Sequence, residues 1–583
     1  MRDLKHDPVG ERTAMLPWER LRDKLLALEG KPVQPSLGLE GAYRFDRFVL
    51  YFDHMIGEPP AVPLPLRVRI DQAEAQFPSA LWGSRAGKVA LEDFIARQWA
   101  DAARKVGRTR GGRPAFVIDI GGQQMLQRTA CRVAEDFVEV RCGVYLPSEG
   151  RKIAAKAAQA VFLEDLPQVV VAALIYAGQN PQAVQHHVQV AEDAEALRLQ
   201  VAARGLVAFL ADGAVLPRES GTDRPLLSHL VPLQAPPALA VTVELPHRGA
   251  VTGLGIPRGV TVILGSPFSG RSTLLRAVAA SVYTHLPGDG REFCAAVPDA
   301  VLVRVEEGRR VEGVNLAAFL SAPPSGEDPT RYSSDHAIDI VSQAAGIVEA
   351  LEAGSTLLLI DEDTSAPGLL ARDAVWRHLA PDAAQPVTPL ADVVRPLYEE
   401  HGVSTILITS HGADYVGVAD TVIGMDAFRV RAVTAEAKRA ADPSQGAPAS
   451  KSRFGGIPNR VPLADSLSPL KGRRFRGEGH GGPHNARSVV IGRDMVDLGV
   501  IEQLVDPSQA RATAAALIFA ADRGLADGMR TIREILGLIE MQIAQHGLEG
   551  LVGSDSIPGD LALVRRHELA AALNRLRTLR VKT

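Results

Sequence analysis

One stretch limits the possible folds of this chain more than any other: residues 260–275 read Val-Thr-Val-Ile-Leu-Gly-Ser-Pro-Phe-Ser-Gly-Arg-Ser-Thr-Leu-Leu. An apolar, strand-like run enters a loop bounded by Gly265 and Gly270, and helical sequence follows at once. In such a turn, successive backbone N–H groups and the positive end of the helix can surround phosphate oxygens. A glycine-rich turn without a ligand is the alternative interpretation, because short glycine patterns also arise by chance.

The loop departs at one position from the usual phosphate-binding pattern GxxxxGK[ST], because Arg271 stands where lysine is expected. Arginine keeps the positive charge, but its planar guanidinium is larger than an ammonium group, so the exchange is not conservative at a crowded triphosphate. We expect nucleotide binding to survive the exchange better than fast hydrolysis. The residues expected to surround the phosphates are Gly265, Ser269, Gly270, Arg271, Ser272 and Thr273.

Two further apolar runs lead to residues suited to phosphate chemistry. Residues 356–360 precede Asp361 and Glu362, which is the form of a Walker B strand. There Asp361 would hold Mg²⁺ and Glu362 would polarise the attacking water. The run 405–408 leads to His411, which would contact the γ-phosphate from the same edge of the sheet. The alternatives are a solvated acidic turn and a structural histidine.

The 583 residues divide by composition into four regions, consistent with a chain of several domains. Residues 1–240 mix strand-like and helical segments, which predicts an α/β domain. Residues 241–440 alternate uniformly apolar strands with helices, as a sheet covered on both faces requires. Residues 441–487 are rich in Gly, Pro, Ser and Arg, and we expect a flexible linker there. Residues 488–583 return to helical segments and predict a small, mostly helical domain.

Composition and charge exclude several classes of protein. Hydrophobic residues at 46% and charged residues at 23% are typical of a folded globular chain, not of a disordered or fibrous one. A formal charge of -4 gives no general attraction to nucleic acid. The three cysteines are too few for a disulfide framework, which favours the cytoplasm. We expect no membrane anchor, because the most apolar run, residues 169–175, is much shorter than the ~20 residues that span a bilayer.

Two basic segments are candidates for contact with RNA. Residues 104–113 combine lysine, arginine and glycine without an acid, and residues 471–487 resemble the Arg- and Gly-rich arms that bind RNA. A solvated loop that charge keeps from aggregating is the alternative for each segment. The histidines have no consistent partner spacing, so we expect no metal site beyond nucleotide-bound Mg²⁺.

Beyond these motifs, the chain resembles the soluble family described as predicted ATPases of the ABC class. The order of phosphate loop, helical insertion, acidic strand and histidine-bearing strand is that of ATP-binding cassette ATPases. Flanking motifs extend the resemblance over nearly the whole chain: Gly205-Leu-Val-Ala-Phe-Leu-Ala-Asp-Gly213, Thr252-Gly-Leu-Gly-Ile-Pro-Arg-Gly259, Tyr283-Thr-His-Leu-Pro-Gly-Asp-Gly-Arg291, Asp361-Glu-Asp-Thr-Ser365 and Glu502-Gln-Leu-Val-Asp-Pro-Ser508.

The resemblance implies an α/β fold with an ABC-type P-loop NTPase core, an N-terminal mixed α/β domain and a small, mostly helical C-terminal domain. It implies ATP and Mg²⁺ as ligands, with Ser272 and Asp361 at the metal. Glu362 would then be the catalytic base, and His411 would sense the γ-phosphate. Two such cores close head to tail over ATP, so the resemblance also suggests a homodimer.

Counting back from Asp361, the resemblance places the turn that caps the partner's γ-phosphate at residues 337–341, Ala-Ile-Asp-Ile-Val. The family has a turn with serine and glycine there. Ile338 offers no hydroxyl, and Asp339 would bring a negative charge towards a polyphosphate in a poorly hydrated interface. We therefore expect the closed, ATP-bridged dimer to be disfavoured.

The sequence thus predicts a cytoplasmic ABC-class ATP-binding protein with slow ATP hydrolysis. Its flanking domains would couple nucleotide occupancy to an RNA or protein partner. The alternative is a non-hydrolysing RNA-binding or scaffold protein whose nucleotide site is vestigial. ATP with Mg²⁺ would stabilise the first kind of protein against heat but not the second.

Overall fold

The structure is a computed structural model that describes residues 15–582 with twelve internal gaps. The gaps are residues 33–37, 54–62, 107–111, 151, 229, 322–325, 372–385, 411, 442–452, 472–487, 492–493 and 554–556. The chain forms two compact units. The first holds the described residues of Met1–Glu192 and Gln542–Leu563, and the second those of Asp193–Arg473, His480–Met541 and Val564–Thr583.

The first unit contains a seven-stranded sheet. The strands in this part of the chain are β1 (Met15–Pro17), β2 (Gly41–Arg44), β3 (Val49–Phe52), β4 (Leu64–Asp71), β5 (Phe116–Val117), β6 (Gln124–Met125), β7 (Cys131–Val133), β8 (Phe137–Val144), β9 (Ser148–Glu149) and β10 (Lys152–Ile153). The sheet order is β1-β2-β3-β4-β8-β5, and β7 also pairs with β8. All its pairings are antiparallel except that of β1 with β2.

The alternation of β4 explains its place at the centre of this sheet. Val68 and Ile70 on one face are 0% exposed. On the other face, Arg67 and Arg69 lie 3.4 and 2.7 Å from the carboxylate of Glu139 on β8. Side chains in a strand point to opposite faces in turn, so β4 gives its apolar half to the core. Its polar half is stabilised by ion pairs across the sheet.

The helices in this part of the chain are α1 (Trp18–Leu26), α2 (Gln72–Ala75), α3 (Arg85–Lys105), α4 (Ala155–Ala160), α5 (Leu166–Leu174) and α6 (Pro181–Ala203). A π-helical turn, Val161–Asp165, joins α4 to α5, and Pro167 follows it. Proline lacks the N–H that the helix ladder needs and crowds the carbonyl four residues earlier, which accounts for the widened turn.

The helical stretch Ala155–Leu174 is long and apolar enough to cross a membrane by length and composition alone. Among its side chains, Phe162, Leu166, Val169 and Leu174 are 0% exposed in the first unit. The core helix of a soluble protein passes the same test, so this one stretch is weak grounds for a membrane span. Burial in the first unit accounts for its apolar composition.

The remaining strands are β11 (Leu206–Ala211), β12 (Ala240–Leu245), β13 (Gly249–Pro257), β14 (Val260–Gly265), β15 (Thr284–His285), β16 (Cys294–Ala296), β17 (Ala300–Val303), β18 (Arg309–Val314), β19 (Tyr332–Ala337), β20 (Leu357–Asp361), β21 (Ser404–Ile408), β22 (Thr421–Asp426), β23 (Arg429–Ala432), β24 (Ser488–Ile491) and β25 (Asp494–Asp497). A six-stranded sheet in the order β17-β20-β21-β14-β22-β23 is parallel except for β23. A four-stranded antiparallel sheet has the order β12-β13-β11-β16. Strands β18 and β19 form one hairpin, and β24 and β25 another.

The remaining helices are α7 (Arg271–Ala280), α8 (Asp339–Glu352), α9 (Pro367–Leu370), α10 (Leu390–His401), α11 (Gly412–Val416), α12 (Thr434–Ala440), α13 (Pro507–Asp522), α14 (Ile532–His546) and α15 (Arg566–Asn574). In the parallel sheet, Val262, Leu358 and Leu407 are 0% exposed. Strands covered on both faces read as continuous apolar runs, which is the pattern that the sequence shows. The predicted α/β fold class is confirmed: the core is a mostly parallel sheet with helices between its strands, and a mixed α/β region precedes it.

Part of the expected linker is packed. Within residues 453–471, Phe454, Leu467 and Leu470 are buried. Arg460 in the same stretch is buried and forms an ion pair with Glu352 of α8. These few buried side chains lie among many Gly, Pro and Ser residues, so the average composition of the stretch does not predict that part of it is packed. The expected domain boundaries at residues 240, 440 and 487 stay predictions.

Candidate functional site

The register of the parallel sheet brings the candidate residues to one edge. Asp361, the last residue of β20, lies opposite Ile408 of β21, and Ile408 lies opposite Ile263 of β14. The strands are parallel, so their carboxyl ends face the same edge, where ligands of open α/β sheets bind. The glycine-bounded loop, the acidic turn after β20 and the segment after β21 therefore meet there.

The loop after β14 turns sharply at its two glycines. A Cβ on Gly265 would lie 2.5 Å from the carbonyl oxygen of Met425, so only glycine fits that approach. Gly270 has φ +100°, which favours glycine, and it is the N-cap residue of α7. Phe268 also has positive φ, +63°, and the residue is 96% exposed. Backbone strain of this kind concentrates at functional loops.

The start of α7 offers donors to an anion. Gly270 supplies no capping side chain, and the first helical residues are Arg271, Ser272 and Thr273. The N–H groups of a first helical turn have no partner within the helix, and the helix dipole adds positive potential there. In the loop itself, the buried Ser269 hydroxyl has no hydrogen-bond partner among the described residues. A buried hydroxyl normally has a hydrogen-bond partner, and a bound phosphate oxygen could serve as the partner of Ser269.

Arg271 is directed at the acidic turn. It is 9% exposed, and its Nη1 donates a hydrogen bond of 3.1 Å to Oε1 of Glu362. The backbone N–H and the hydroxyl of Ser410 both donate to Oε2 of the same carboxylate, the hydroxyl at 2.9 Å. The sequence pattern predicts Arg271 and Glu362 as site residues but not Ser410, because an exposed serine after a strand belongs to no recognisable motif.

Asp361 lies deeper than Glu362. It is 4% exposed, and its Oδ1 accepts the backbone N–H of Asp363 at 3.2 Å. Its carbonyl oxygen accepts the Ser365 hydroxyl at 2.8 Å, and Ser365 in turn accepts the side-chain amide of Gln343 at 2.8 Å. Gln343 belongs to α8 and is 0% exposed. The acidic turn is therefore fastened to α8.

The turn at residues 337–341 opens α8. Ile338 is its N-cap residue and is 57% exposed. Asp339 has φ +47°, a left-handed conformation that is uncommon for a residue other than glycine. The carboxylate of Glu307 accepts the Asp339 backbone N–H at 3.1 Å. The turn thus exposes an apolar side chain and holds an acid in a strained conformation.

Several predicted residues lie outside the described part of the chain. His411 is one of them, as are residues 107–111 of the first basic segment and residues 472–487 of the second. Arg104, at the start of the first segment, lies 2.6 Å from the carboxylate of Asp101. Among the described residues, no group of three or more His, Cys, Asp or Glu side chains could hold a metal ion by itself.

The residues at the sheet edge fit a Mg²⁺-nucleotide. Mg²⁺ takes oxygen ligands and keeps several waters, so it needs one or two carboxylates or hydroxyls together with substrate phosphates. Asp361 and Ser272 supply oxygen of that kind, and the strained loop before α7 supplies backbone donors for phosphate.

Three family models match consecutive parts of the chain. The first is described as the N-terminal domain of ATPases of the ABC class and matches residues 18–177. The second, the P-loop domain of the ABC ATPase model, matches residues 180–458. The third, the MRB1590 C-terminal domain, matches residues 482–582.

Two individual proteins are similar to parts of the chain. The uncharacterized protein MJ1628 of Methanocaldococcus jannaschii is 28% identical over 188 residues, which are 32% of this chain and 40% of the relative. A solved structure of a bacterial Atm1-family ABC exporter with ATP bound matches 49% of each chain at 13% identity, with a TM-score of 0.22. A likeness that weak carries no argument about the fold.

Proposed function

Because the chain belongs to the family of ABC-class ATPases, we propose that it binds ATP with Mg²⁺ at this sheet edge and hydrolyses it slowly. One observation carries the proposal: the register of three parallel strands brings together the loop that ends at Gly270, the N-terminus of α7 and the acids at the end of β20. A phosphate chain and its metal need that combination of donors and oxygen ligands.

The loop and the helix start form the proposed phosphate cradle. Backbone N–H groups between Gly265 and Thr273 would donate to phosphate oxygens, and the unmatched Ser269 hydroxyl would donate as well. Arg271 would place its guanidinium against the outer phosphates, since its planar fork suits two oxygens at once.

Asp361 and Glu362 would have different roles in the reaction. Asp361, nearly buried at the end of β20, would hold the metal through water with Ser272. Bound Mg²⁺ would neutralise charge that develops on the phosphates. Glu362, whose carboxylate reaches the sheet edge, would accept the proton of the attacking water. His411 stays a proposed contact to the γ-phosphate.

Two residues support slow turnover. The guanidinium of Arg271 is bulkier than the usual ammonium group, and Asp339 brings negative charge to the turn that the family uses to cap a second nucleotide. We expect ATP hydrolysis below about 1 s⁻¹, the lower end of typical turnover numbers. We also expect a closed ATP-bridged homodimer to form weakly, because that turn would meet the partner's polyphosphate.

The flanking regions would couple nucleotide occupancy to a partner, an RNA or another protein. The proposed RNA contacts are the basic segments 104–113 and 471–487, since lysine and arginine beside glycine can follow a phosphate backbone. The proposed compartment is the cytoplasm, because all three cysteines are free and buried, as in proteins of a reducing environment.

Calorimetric titration of the full chain with ATP and Mg²⁺, followed by mass measurement of the complex, tests the proposal. We expect saturable heat and a rise in melting temperature, because a ligand that binds the folded state stabilises it. A chain that gives no heat with any nucleoside triphosphate is not an ATPase. Salt-sensitive RNA retention that is lost when residues 472–487 are deleted, without any effect of ATP, would favour the alternative, a non-hydrolysing RNA-binding protein.

A further inference from the structure

Both oxygens of the Glu362 carboxylate are engaged in the structure. Oε1 accepts from Arg271 at 3.1 Å, and Oε2 accepts both the hydroxyl and the backbone N–H of Ser410. The side chains of the Arg271–Glu362 pair are only 9% and 13% exposed, so water competes weakly for them. A general base must be within hydrogen-bond reach of the proton that it abstracts and must have an oxygen to receive it. Oε2 thus has both lone pairs in hydrogen bonds, and the remaining lone pair of Oε1 lies beside the positive charge of Arg271, which opposes the arrival of a proton.

The donor that occupies Oε1 comes from the phosphate loop itself. Arg271 follows Gly270 directly, so phosphate oxygens in the loop and the carboxylate of Glu362 compete for the same guanidinium. A triphosphate carries more charge than one carboxylate and attracts arginine in a bidentate way. Binding of the triphosphate would therefore draw Arg271 away from Glu362.

We propose that Arg271 and Ser410 are positioning residues that make the activity of Glu362 depend on nucleotide occupancy. Arg271 blocks Oε1 until phosphate oxygens take its guanidinium, and Ser410 keeps Oε2 fixed throughout. The inference rests on the proposed function, since it presumes a triphosphate at the loop. In this role Arg271 prevents Glu362 from accepting a proton before the triphosphate is bound.

Hydrolysis then takes place at the γ-phosphorus. The oxygen of the attacking water forms a bond to the γ-phosphorus, and the bond from that phosphorus to the β,γ-bridging oxygen breaks. ADP leaves with the electron pair of that bond. The proton of the water passes to the freed Oε1 of Glu362 and from there to solvent, so the carboxylate is regenerated.

Binding of a non-hydrolysable ATP analogue with Mg²⁺ to the full chain, measured by calorimetry, tests the competition. Glu362→Gln keeps the shape of the side chain but weakens its hold on Arg271, so we expect about tenfold tighter binding, the worth of one charge-assisted hydrogen bond. The matched control is Asp363→Asn, which removes an exposed carboxylate from the same turn. We expect that variant to bind within about twofold of the parent chain, because exposed charges are screened.

Equal gains in Glu362→Gln and Asp363→Asn would overturn the inference, since the effect would then be a general one of charge. The absence of any gain in Glu362→Gln would overturn it as well. In both cases the parent chain still binds the analogue, so the proposed function stands. If the parent chain binds no nucleotide, the proposed function fails and the inference fails with it.

Ser410 gives a second readout. Ser410→Ala removes one of the two donors to Oε2, so we expect kcat to fall about tenfold while KM stays within twofold. Ser410→Thr keeps the hydroxyl and should restore most of kcat. A merely structural serine would change melting temperature rather than kcat alone. Equal kcat in all three chains would refute the role of Ser410.

Discussion

Replacement of Arg460 tests whether residues 453–471 belong to the folded core. Arg460 is 6% exposed, and its Nε donates to Oε2 of Glu352 at 2.9 Å. Its Nη1 donates to the carbonyl of Glu312 and its Nη2 to Asn574, each at 2.7 Å. Burial by itself would lower the pKa of the Arg460 guanidinium. The negative charges of Glu352 and Glu349 together have the larger effect and raise this pKa above its ordinary value. The ion pair therefore stays charged.

Arg460→Met keeps much of the side-chain volume and removes the charge, which leaves Glu352 as a carboxylate that is 1% exposed. Breaking a buried ion pair by removal of one partner costs about 3–5 kcal/mol. The backbone N–H of residue 460 still donates to Glu352 at 2.7 Å, so we expect the lower end, about 3 kcal/mol. That loss is a large share of the roughly 5–15 kcal/mol that stabilises a typical protein.

Urea unfolding followed by far-ultraviolet circular dichroism measures the effect. With a slope of about 1–3 kcal/mol per molar urea, the midpoint should fall by about 1 M or more. The control is Arg453→Met in the same segment, since Arg453 is 83% exposed and lies 3.9 Å from Glu400. An exposed pair is worth less than about 1 kcal/mol, so its midpoint should barely move. Equal midpoints for the two variants would show that this segment does not dock as described.

Three further predictions concern pH, the loop and turnover. Burial raises the pKa of Glu92 from 4.5 to about 7, so folded chains keep a proton that unfolded chains release. Ionisation of Glu92 therefore lowers the free energy of unfolding by roughly 3 kcal/mol as pH rises from about 5 to about 8. Glu92→Gln should remove this contribution when unfolding is compared at those two pH values. Gly270→Ala would place a Cβ 3.0 Å from the Phe428 ring at φ +100°, so it should abolish the rise in melting temperature with ATP and Mg²⁺. Gly455→Ala, at φ +98° with nothing within 4 Å, should keep that rise, and loss in both variants would show a general backbone effect. Arg271→Lys should increase kcat in a steady-state phosphate-release assay, and a fall in kcat would contradict the role given to the arginine.

The sheet edge could be predicted because its signals are local. Strands β14, β20 and β21 are covered on both faces, so each reads as an apolar run with its functional residue at the end. The rule that parallel strands end at one edge then brings Asp361 and the glycine loop together. The predicted roles of these residues stay predictions.

The contacts of Ser410 and Arg460 could not be predicted from the sequence, because their partners are distant along the chain. Ser410 meets Glu362 across 48 positions, and Arg460 meets Glu352 across 108. An isolated serine or arginine carries no signal of which carboxylate it will find. The composition of residues 441–487 therefore suggested a linker, although Arg460 and Phe454 hold part of that stretch in the core.

The amide of Gln343 has a mechanical consequence. Its Oε1 accepts the Ala366 backbone N–H and its Nε2 donates to Ser365, both at 2.8 Å, and Ser365 holds the carbonyl of Asp361. Helix α8 cannot slide along its axis without breaking these bonds or dragging the acidic turn with it. A displacement of the N-terminal end of α8, at the exposed Ile338, would therefore be transmitted to Asp361 through the side-chain amide of Gln343.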